Sequence, residues 1–337
     1  MSTEPRPVRR FRAFACALAS LLAVWPLAAP AALRVAVISD LNGSYGSTTY
    51  DPAVAHAVRR IIELRPDLVI STGDMVAGQQ LHPPLTSAAV AAMWTSFHAT
   101  VTAPLESARI PLAVTPGNHD ASAYEAFVHE REAYGREWLR HRPRVEWVDD
   151  AKYPFHYAFS LGDVLFVSLD VTRVGAVGAD QKRWLDALLE REAGRYAHRV
   201  VFSHLPVYPF TRGRETEVTA DHELEDILRR HGVGLYLSGH HHAFYPGYRD
   251  GIRFVSQACL GAGPRALLGS ARHAPRAVTV LEIPDQGAIV VRAFEAPGLT
   301  REIDRRGLPR SITSRYGTLV RDDLHTVPAH AGAAGRD

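Results

Sequence analysis

Acidic, amide and imidazole side chains recur in this sequence directly after short apolar runs. Five such motifs occur: Asp40-Leu41-Asn42-Gly43, Gly73-Asp74-Met75-Val76, Gly117-Asn118-His119-Asp120, Ser203-His204-Leu205-Pro206 and Gly239-His240-His241-His242. Oxygen ligands from Asp and Asn together with nitrogen from His suit first-row ions better than calcium, and no thiolate favours a soft metal. The motifs therefore predict a site for zinc, manganese or iron.

The number of carboxylates limits how such a site can be built. Among Asp40, Asp74, Asn118, His204 and the His240-His241-His242 run, only the two aspartates are carboxylates. A site for two ions therefore needs one aspartate to bridge them. Such a site polarises a phosphoryl group and lowers the pKa of bound water.

Each of these residues also has an interpretation that involves no chemistry. Asp40 and Asn42-Gly43 are typical of turns, and Asp74 and Asn118 are typical helix N-caps. Capping does not exclude ligation, and Gly43 explains a turn whether or not Asn42 binds a metal. Three adjacent imidazoles after an apolar strand, in contrast, serve no packing purpose.

Three further residues are candidates for contact with a substrate. Strand alternation places His240 and His242 on one side and His241 on the other, where we expect it near the substrate or supporting the ligands. Tyr208 and Arg212 follow the fourth motif on a loop. Arg212 has the geometry to clamp a phosphate, and it is equally typical of a solvated surface.

The segments that must position these residues alternate between strand and helix patterns. Strands are predicted at 33–38, 67–71 and 110–115, and helices at 52–64, 87–107 and 122–139, the last with Ser122 and Glu125 as a capping box. The strands at 155–160 and 164–169 form a hairpin. The remaining predictions are helices at 181–192 and 221–231 and strands at 199–203, 234–237, 252–256, 277–283 and 288–294.

This order of elements predicts an α/β fold in which two mixed sheets face each other with helices outside. One domain is predicted from residue 33 to residue 297, followed by a C-terminal extension at 298–327. Each of the five motifs falls at the carboxyl end of a predicted strand. In open α/β sheets those ends line one crevice, so residues far apart in sequence can converge there.

The five motifs, in this order, resemble those of the calcineurin-like metallophosphoesterases. The resemblance covers nearly the whole chain after the first thirty-odd residues, and it implies a four-layer αββα sandwich with a dinuclear centre of Mn, Fe or Zn ions. It also implies hydrolysis of a phosphomonoester or phosphodiester, small-molecule or nucleotide, by a metal-activated hydroxide. The motif order and context carry the resemblance, since any single motif is weak.

The resemblance implies a role for each motif residue. Asp40 and His242 would hold the first metal, Asp74 would bridge, and His119 would act catalytically on the phosphate without binding metal. The second metal would be held by Asn118, His204 and His240.

Two positions depart from the family pattern. Asn42 stands where the family usually has a histidine, and an amide oxygen binds such ions more weakly and without charge. Ala77 stands where protein phosphatases and purple acid phosphatases carry other residues, so neither branch fits.

Because of Asn42, an alternative function is a metal-binding or envelope interaction protein with an impaired first metal site. Nuclease activity is a third possibility.

The N-terminus is typical of a signal peptide at 1–31. Arg6, Arg9, Arg10 and Arg12 precede an apolar run at 13–27, and small residues follow at 29–31. An uncleaved membrane anchor is the alternative. We expect export to the periplasm or secretion, with no stable membrane anchor after cleavage.

Composition narrows the remaining possibilities. The 337 residues are 46% hydrophobic and 22% charged with a net charge of +2, which is globular and lacks a basic stripe, so nucleic acid is not an expected obligate partner. Cys259 is the one cysteine beyond the predicted signal, so no internal disulfide is expected. Residues 328–337 are predicted to be a disordered tail.

Overall fold

The computed structural model describes Met1 and residues 32–261 and 263–325. Apart from Met1, the predicted signal peptide lies outside the described residues, and so does the predicted tail at 328–337. None of the helices in the described ranges is both long and apolar enough to cross a membrane.

Five strands form the first of two mixed sheets. They are β1 Leu33–Ile38, β2 Leu68–Ser71, β3 Leu112–Val114, β11 Ala277–Ile283 and β12 Val290–Glu295. Their order is β12-β11-β1-β2-β3, with β1, β2 and β3 parallel and β11 antiparallel to β1. All residues of β2 and β3 are buried, as expected for parallel strands covered on both faces.

The second sheet has nine strands in the order β13-β14-β9-β10-β8-β7-β6-β5-β4. Their bounds are β4 Glu146–Lys152, β5 His156–Leu161, β6 Val164–Ser168, β7 His198–Ser203, β8 Leu235–Ser238, β9 Tyr245–Arg249, β10 Ile252–Ser256, β13 Ser311–Ser314 and β14 Gly317–Arg321. The four central strands β10, β8, β7 and β6 are parallel, and the flanking strands pair antiparallel.

Helices cover the outer faces of both sheets. The described residues form the helices α1 Pro52–Leu64, α2 Ser87–Phe97, α3 Ala103–Ser107, α4 Asn118–Ala121, α5 Val128–Arg140, α6 Ala179–Arg191 and α7 His222–Arg230, with a π-helical turn at His98–Thr102 between α2 and α3. The short α4 follows β3 and carries Asn118. Helix α1 begins as its sequence predicts, because Asp51 accepts a hydrogen bond from the backbone of Ala53 and Pro52 occupies the first turn.

Alternation along β7 shows how the layers are arranged. Val200 and Phe202 pack in the core that includes the first sheet, whereas Val201 packs on the other face with α6 and α7 through Leu188 and Leu228. Helices α1, α2 and α5 contribute to the core of the first sheet. The four-layer α/β sandwich predicted from the sequence is therefore confirmed.

Several element boundaries differ from prediction. The helix expected from 122 begins at Val128, and the capping box is absent, because the Ser122 hydroxyl is bonded to Tyr124 and Gln79. The π-helical turn divides the helix expected at 87–107. Strands β4, β9, β13 and β14 were not predicted. Strands β13 and β14 follow residue 297 and join the second sheet, and the predicted domain boundary there stays a prediction.

Candidate metal centre

The carboxyl ends of five strands bring the predicted ligands together from both sheets. Asp40, Asp74 and Asn118 follow β1, β2 and β3 of the first sheet. His204 and the His240–His242 run follow β7 and β8 of the second sheet. All of these residues are buried, with exposed fractions of 7% or less.

Four of the ligand-bearing residues have left-handed backbone. The φ angles are 51° at Asp40, 54° at Asp74, 64° at His240 and 55° at His242. A side chain other than glycine pays roughly 1–2 kcal/mol in this region. Hydrogen bonds between the loops hold this conformation, including Asp40 N to Gly73 O at 3.0 Å and Leu41 N to Asp74 O at 2.9 Å. Backbone strain that the surroundings hold in place is a property of functional sites.

Two glycines allow the loops to approach each other. A Cβ atom added to Gly117 would lie 2.1 Å from Asp74 N and 2.2 Å from Asp74 Oδ1. Gly73 has a φ of 96°, and its added Cβ would lie 2.7 Å from His204 Nδ1. No larger residue fits at either position without moving the loop that carries a ligand.

The residues predicted to hold the second metal place three lone-pair atoms around one point. His204 Nδ1 donates to the Thr72 carbonyl at 2.8 Å, so Nε2 faces Asn118 Oδ1 at 2.9 Å and Asp74 Oδ2 at 3.2 Å. The Asn118 amide nitrogen donates to Gln79 Oε1 at 2.7 Å, which turns the amide oxygen towards the imidazole. A cation at this point would satisfy all three atoms.

His240 completes this half of the site. One ligand atom each from Asp74, His204 and His240 lies within 4.8 Å of the other two. His240 Nε2 is 2.8 Å from Glu217 Oε2, so this carboxylate accepts the ring proton and leaves Nδ1 with a lone pair for a metal. A carboxylate behind a histidine ligand orients the ring and raises its basicity.

The residues predicted to hold the first metal include a buried oxygen without a hydrogen-bond partner. His242 Nδ1 donates to the Gly263 carbonyl at 3.0 Å, and its Nε2 is 3.2 Å from Asp40 Oδ1. Asn42 is only 4% exposed, and its Oδ1 has no hydrogen-bond partner among the described residues. A buried acceptor without a partner costs about 1–3 kcal/mol, and a bound cation would remove that cost. The residues present therefore fit a metal in this half too.

Electrostatics couple each aspartate to one histidine. Burial alone would lower the pKa of His204, but the Asp74 carboxylate outweighs it and raises the pKa to about 9. In the same way Asp40 outweighs burial and raises the pKa of His242 to about 10. Burial would raise the pKa of both aspartates, yet the histidines hold each pKa below its usual value. Both carboxylates are therefore ionised, as metal ligands must be.

His119 lies at the rim, as expected for a residue that faces the substrate. Its backbone N donates to Asp74 Oδ1 at 2.9 Å, and its Nδ1 donates to the Gly78 carbonyl at 2.8 Å. The side chain is 19% exposed, and its Nε2 is 3.9 Å from Asp74 Oδ2. The ring of Tyr45, which is 58% exposed, lies 5.3 Å from the His119 ring between centroids.

The structure buries two of the residues predicted to lie on the substrate side, His241 and Tyr208. His241 is fully buried, and both of its ring nitrogens are hydrogen-bonded. Its Nδ1 accepts from Phe210 N at 3.0 Å, and its Nε2 donates to the Glu217 carbonyl at 3.1 Å. It therefore supports the loop that carries Glu217.

Tyr208 is 2% exposed, and its hydroxyl is bonded to Glu225 in the outer core. Arg212 is exposed, and its contact with substrate stays a prediction.

Three supporting residues were missed by the sequence analysis. Asp120 Oδ1 accepts from Met75 N at 2.7 Å and Val76 N at 2.9 Å, and its Oδ2 accepts from Gly117 N at 2.9 Å, so it joins two ligand loops. Because Asp120 is part of the third motif, the sequence did indicate that it belongs to the site. Glu217 and Gln79, which orient His240 and Asn118, lie outside every motif and gave no such indication.

Comparison with known proteins agrees with the fold and gives the family. Residues 33–244 match the family model described as calcineurin-like phosphoesterase, and the chain belongs to this family. It is 26% identical over 192 residues to the serine/threonine-protein phosphatase CPPED1 of Danio rerio, covering 51% of this chain and 54% of that protein. The chain thus spans about half the length of this curated relative.

Solved structures share the fold at low sequence identity. A purple acid phosphatase, PPD1 from yellow lupin seeds, matches with a TM-score of 0.58 and 15% identity over 78% of this chain and 51% of that chain. A dimetal phosphatase from Danio rerio matches with a TM-score of 0.55 and 16% identity over 81% and 98%. GAP50 of Plasmodium matches with a TM-score of 0.54 and 12% identity over 79% and 85%.

Proposed function

We propose that this protein hydrolyses a phosphate ester, a monoester or a diester of a small molecule or nucleotide, at a centre for two transition-metal ions. The observation that carries the proposal is the convergence of His204 Nε2, Asn118 Oδ1 and Asp74 Oδ2, with His119 on the rim beside them. Metal ligands without an acid-base residue would be compatible with a site that only binds metal. A histidine held next to the bridging aspartate is what a hydrolase requires.

The donor set supports Mn, Fe or Zn ions. When bound, such ions polarise a phosphoryl oxygen and lower the pKa of water. Asp40, His242 and Asn42 would hold the first ion, and Asn118, His204 and His240 the second. Asp74 would bridge the two ions; its Oδ2 faces His204, and its Oδ1 accepts from the backbone N of His119.

His119 is the side chain placed to act on the ester. The Gly78 carbonyl fixes the ring through Nδ1, so Nε2 is the atom that meets the substrate. Protonated there, His119 donates to the leaving oxygen or to a phosphoryl oxygen as negative charge develops. The exposed Tyr45 ring beside it offers an aromatic surface to the leaving group.

The test uses the full chain stripped of metal and reloaded separately with manganese, zinc or iron. Hydrolysis of nitrophenyl phosphate and bis-nitrophenyl phosphate would be compared in the wild type, Asp74→Asn and His222→Gln, whose side chain is 76% exposed on α7. We expect Asp74→Asn to lose turnover and metal, and the control to keep both. Absence of turnover with every metal, together with unchanged metal content in Asp74→Asn, would contradict the proposal.

A metal-binding or interaction role on the same fold is the alternative. Asn42 in place of a histidine favours it, and GAP50, which shares the fold, is described as an anchor in the inner membrane complex of Plasmodium. Fold alone does not decide between catalysis and anchoring. His119 at the rim counts against this alternative, and metal binding without hydrolysis would establish it.

We also propose that the protein acts outside the cytoplasm. The support is the basic and then apolar sequence of residues 1–31. Determining the N-terminal residue of the protein recovered from cell fractions tests this, with cleavage near residue 31 expected. An intact N-terminus on cytoplasmic protein would contradict it.

A further inference from the structure

A second cluster of metal-type side chains lies among the helices that cover the first sheet. His98 belongs to the π-helical turn after α2, and Glu137 and His141 lie four residues apart at the end of α5. One ligand atom of each lies within 4.8 Å of the other two. These residues belong to none of the five motifs, and the proposed phosphoesterase reaction does not use them.

His98 presents an unsatisfied nitrogen to this cluster. Its side chain is 13% exposed and stacks against Trp94, and its Nδ1 is 3.0 Å from Thr102 Oγ1. Its Nε2 is buried and has no hydrogen-bond partner among the described residues. A buried imidazole nitrogen in this position costs free energy until a proton donor or a cation satisfies it.

The two partners of His98 are oriented by residues outside the cluster. Glu137 Oε1 accepts from Arg140 at 2.9 Å, which leaves Oε2 facing His98 Nε2 at 3.6 Å. His141 Nδ1 is 3.1 Å from Glu106 Oε1, so its Nε2 is left for another partner. Outer carboxylates and hydroxyls that fix the far nitrogen of a histidine are typical of metal sites.

The separation of His98 Nε2 and Glu137 Oε2 suits two ligands of one ion. At 3.6 Å it exceeds the length of an N–H···O hydrogen bond. Zinc bonds of about 2.0–2.2 Å in a tetrahedron place neighbouring ligand atoms about 3.4 Å apart. The rings of His98 and His141 are stacked with centroids 3.9 Å apart, and the His141 side chain is 28% exposed.

We propose that His98, Glu137 and His141 form a second, mononuclear site for a divalent ion of the zinc class, separate from the dinuclear centre. Two histidines and one carboxylate are an established zinc ligand set with an open fourth position for water. His141 and Glu106 also line a surface cavity of about 540 Å³. The same cavity is lined by Ile110, Pro111 and Leu112, at the amino-terminal end of β3. Asn118 follows the carboxyl end of that strand, so the cavity and the dinuclear centre lie at opposite ends of β3.

Bound metal would join the π-helical turn to the end of α5. The two segments are already in contact through the ring of His98, which packs on Trp138 with centroids 5.8 Å apart. An ion that binds only the folded chain stabilises it by mass action. The site would therefore contribute to stability without contributing to hydrolysis.

The test counts ions bound to the full chain after it has been stripped and reloaded with cobalt or zinc. Glu137→Gln and His141→Gln are the test variants, and the exposed His222→Gln is the control. We expect each test variant to bind one ion fewer than the wild type and to keep wild-type hydrolysis of nitrophenyl phosphate. His204→Gln should lose metal from the dinuclear centre and still bind one ion.

Two results would overturn the inference. One is an unchanged ion count in the Glu137→Gln/His141→Gln double variant, with circular dichroism showing that it is folded. The other is an anomalous-scattering map of zinc-loaded crystals with no peak between His98, Glu137 and His141. Both readouts are independent of activity, so they stand whether or not the protein proves to be a hydrolase.

Discussion

Nε2 of His204 lies 2.9 Å from Oδ1 of Asn118, although 86 positions separate the two residues in sequence. The contact depends on two outer bonds, because Thr72 fixes the far nitrogen of the imidazole and Gln79 fixes the amide nitrogen of Asn118. In the metal-free protein a proton on Nε2 occupies the position where an ion would bind. Protons and metal therefore compete for the centre.

Metal loading is expected to release protons. The pKa of His204 is raised to about 9 and that of His242 to about 10, so both rings are protonated below those values in the metal-free protein. An ion needs the lone pair of each Nε2, so each ring loses its proton and affinity rises as the pH rises. Metal titration between about pH 6 and about pH 8, with a pH indicator in weak buffer, measures both effects.

The number of protons distinguishes the two halves of the centre. Because metal-bound water also releases protons, His204→Gln and His242→Gln are compared with the wild type, and each should release at least one proton fewer. Affinity that does not change with pH would contradict the prediction. His222→Gln, on the surface of α7, is the control for nonspecific proton release.

Replacement of Asn42 by alanine should separate ligation from turn formation. In the metal-free protein we expect the free energy of unfolding to rise by about 1 kcal/mol, because the buried Oδ1 without a partner is removed. In the metal-loaded protein we expect the stabilisation by metal to fall. Urea unfolding with and without metal measures both quantities. Lower stability in both states would identify Asn42 as a turn residue.

His119→Ala is expected to lower kcat by about 10²–10⁴-fold while metal content stays unchanged. The reason is that His119 contacts the ligands through its backbone N, which alanine retains, whereas the proton donor at Nε2 is lost. Tyr45→Ala is the matched comparison on the same rim, and we expect it to raise KM with little change in kcat. A loss of metal in His119→Ala would instead make His119 a ligand.

Gly117→Ala should separate the loops that carry Asp74 and Asn118. The added Cβ would lie 2.1 Å from Asp74 N, so the backbone must move and metal affinity should fall by more than about tenfold. Gly234→Ala is the control, because nothing lies within 4 Å of its added Cβ. Calorimetric metal titration of the two variants tests this, and equal affinities would contradict it.

The sequence predicted the parts of the site that local patterns encode. Strands β1, β2, β3, β7 and β8 are apolar runs, and the residue type after each run identifies a ligand candidate without knowledge of the fold. The alternation of strands and helices predicts that the motifs converge at the carboxyl ends of strands, and the family resemblance implies that Asp40 and His242 meet there. In the structure, His242 Nε2 lies 3.2 Å from Asp40 Oδ1.

Other features depend on contacts that no local pattern encodes. Glu217 reaches His240 from a loop 23 positions away. Strand alternation did place His241 on the opposite side from His242, but it could not show that Phe210 and Glu217 use both ring nitrogens. Strand β9 contains Pro246 and Gly247, which disfavour strand prediction, yet it is paired with β10 along its length.

The left-handed backbone at the metal centre lowers the stability of the fold while it positions the ligands. Glycine would be the least strained residue at His240 and His242, so replacing either would relieve about 1 kcal/mol of strain and remove a ligand. A lineage that stopped using the centre would gain stability by making those exchanges. Histidine at both positions therefore costs stability that metal binding would have to offset.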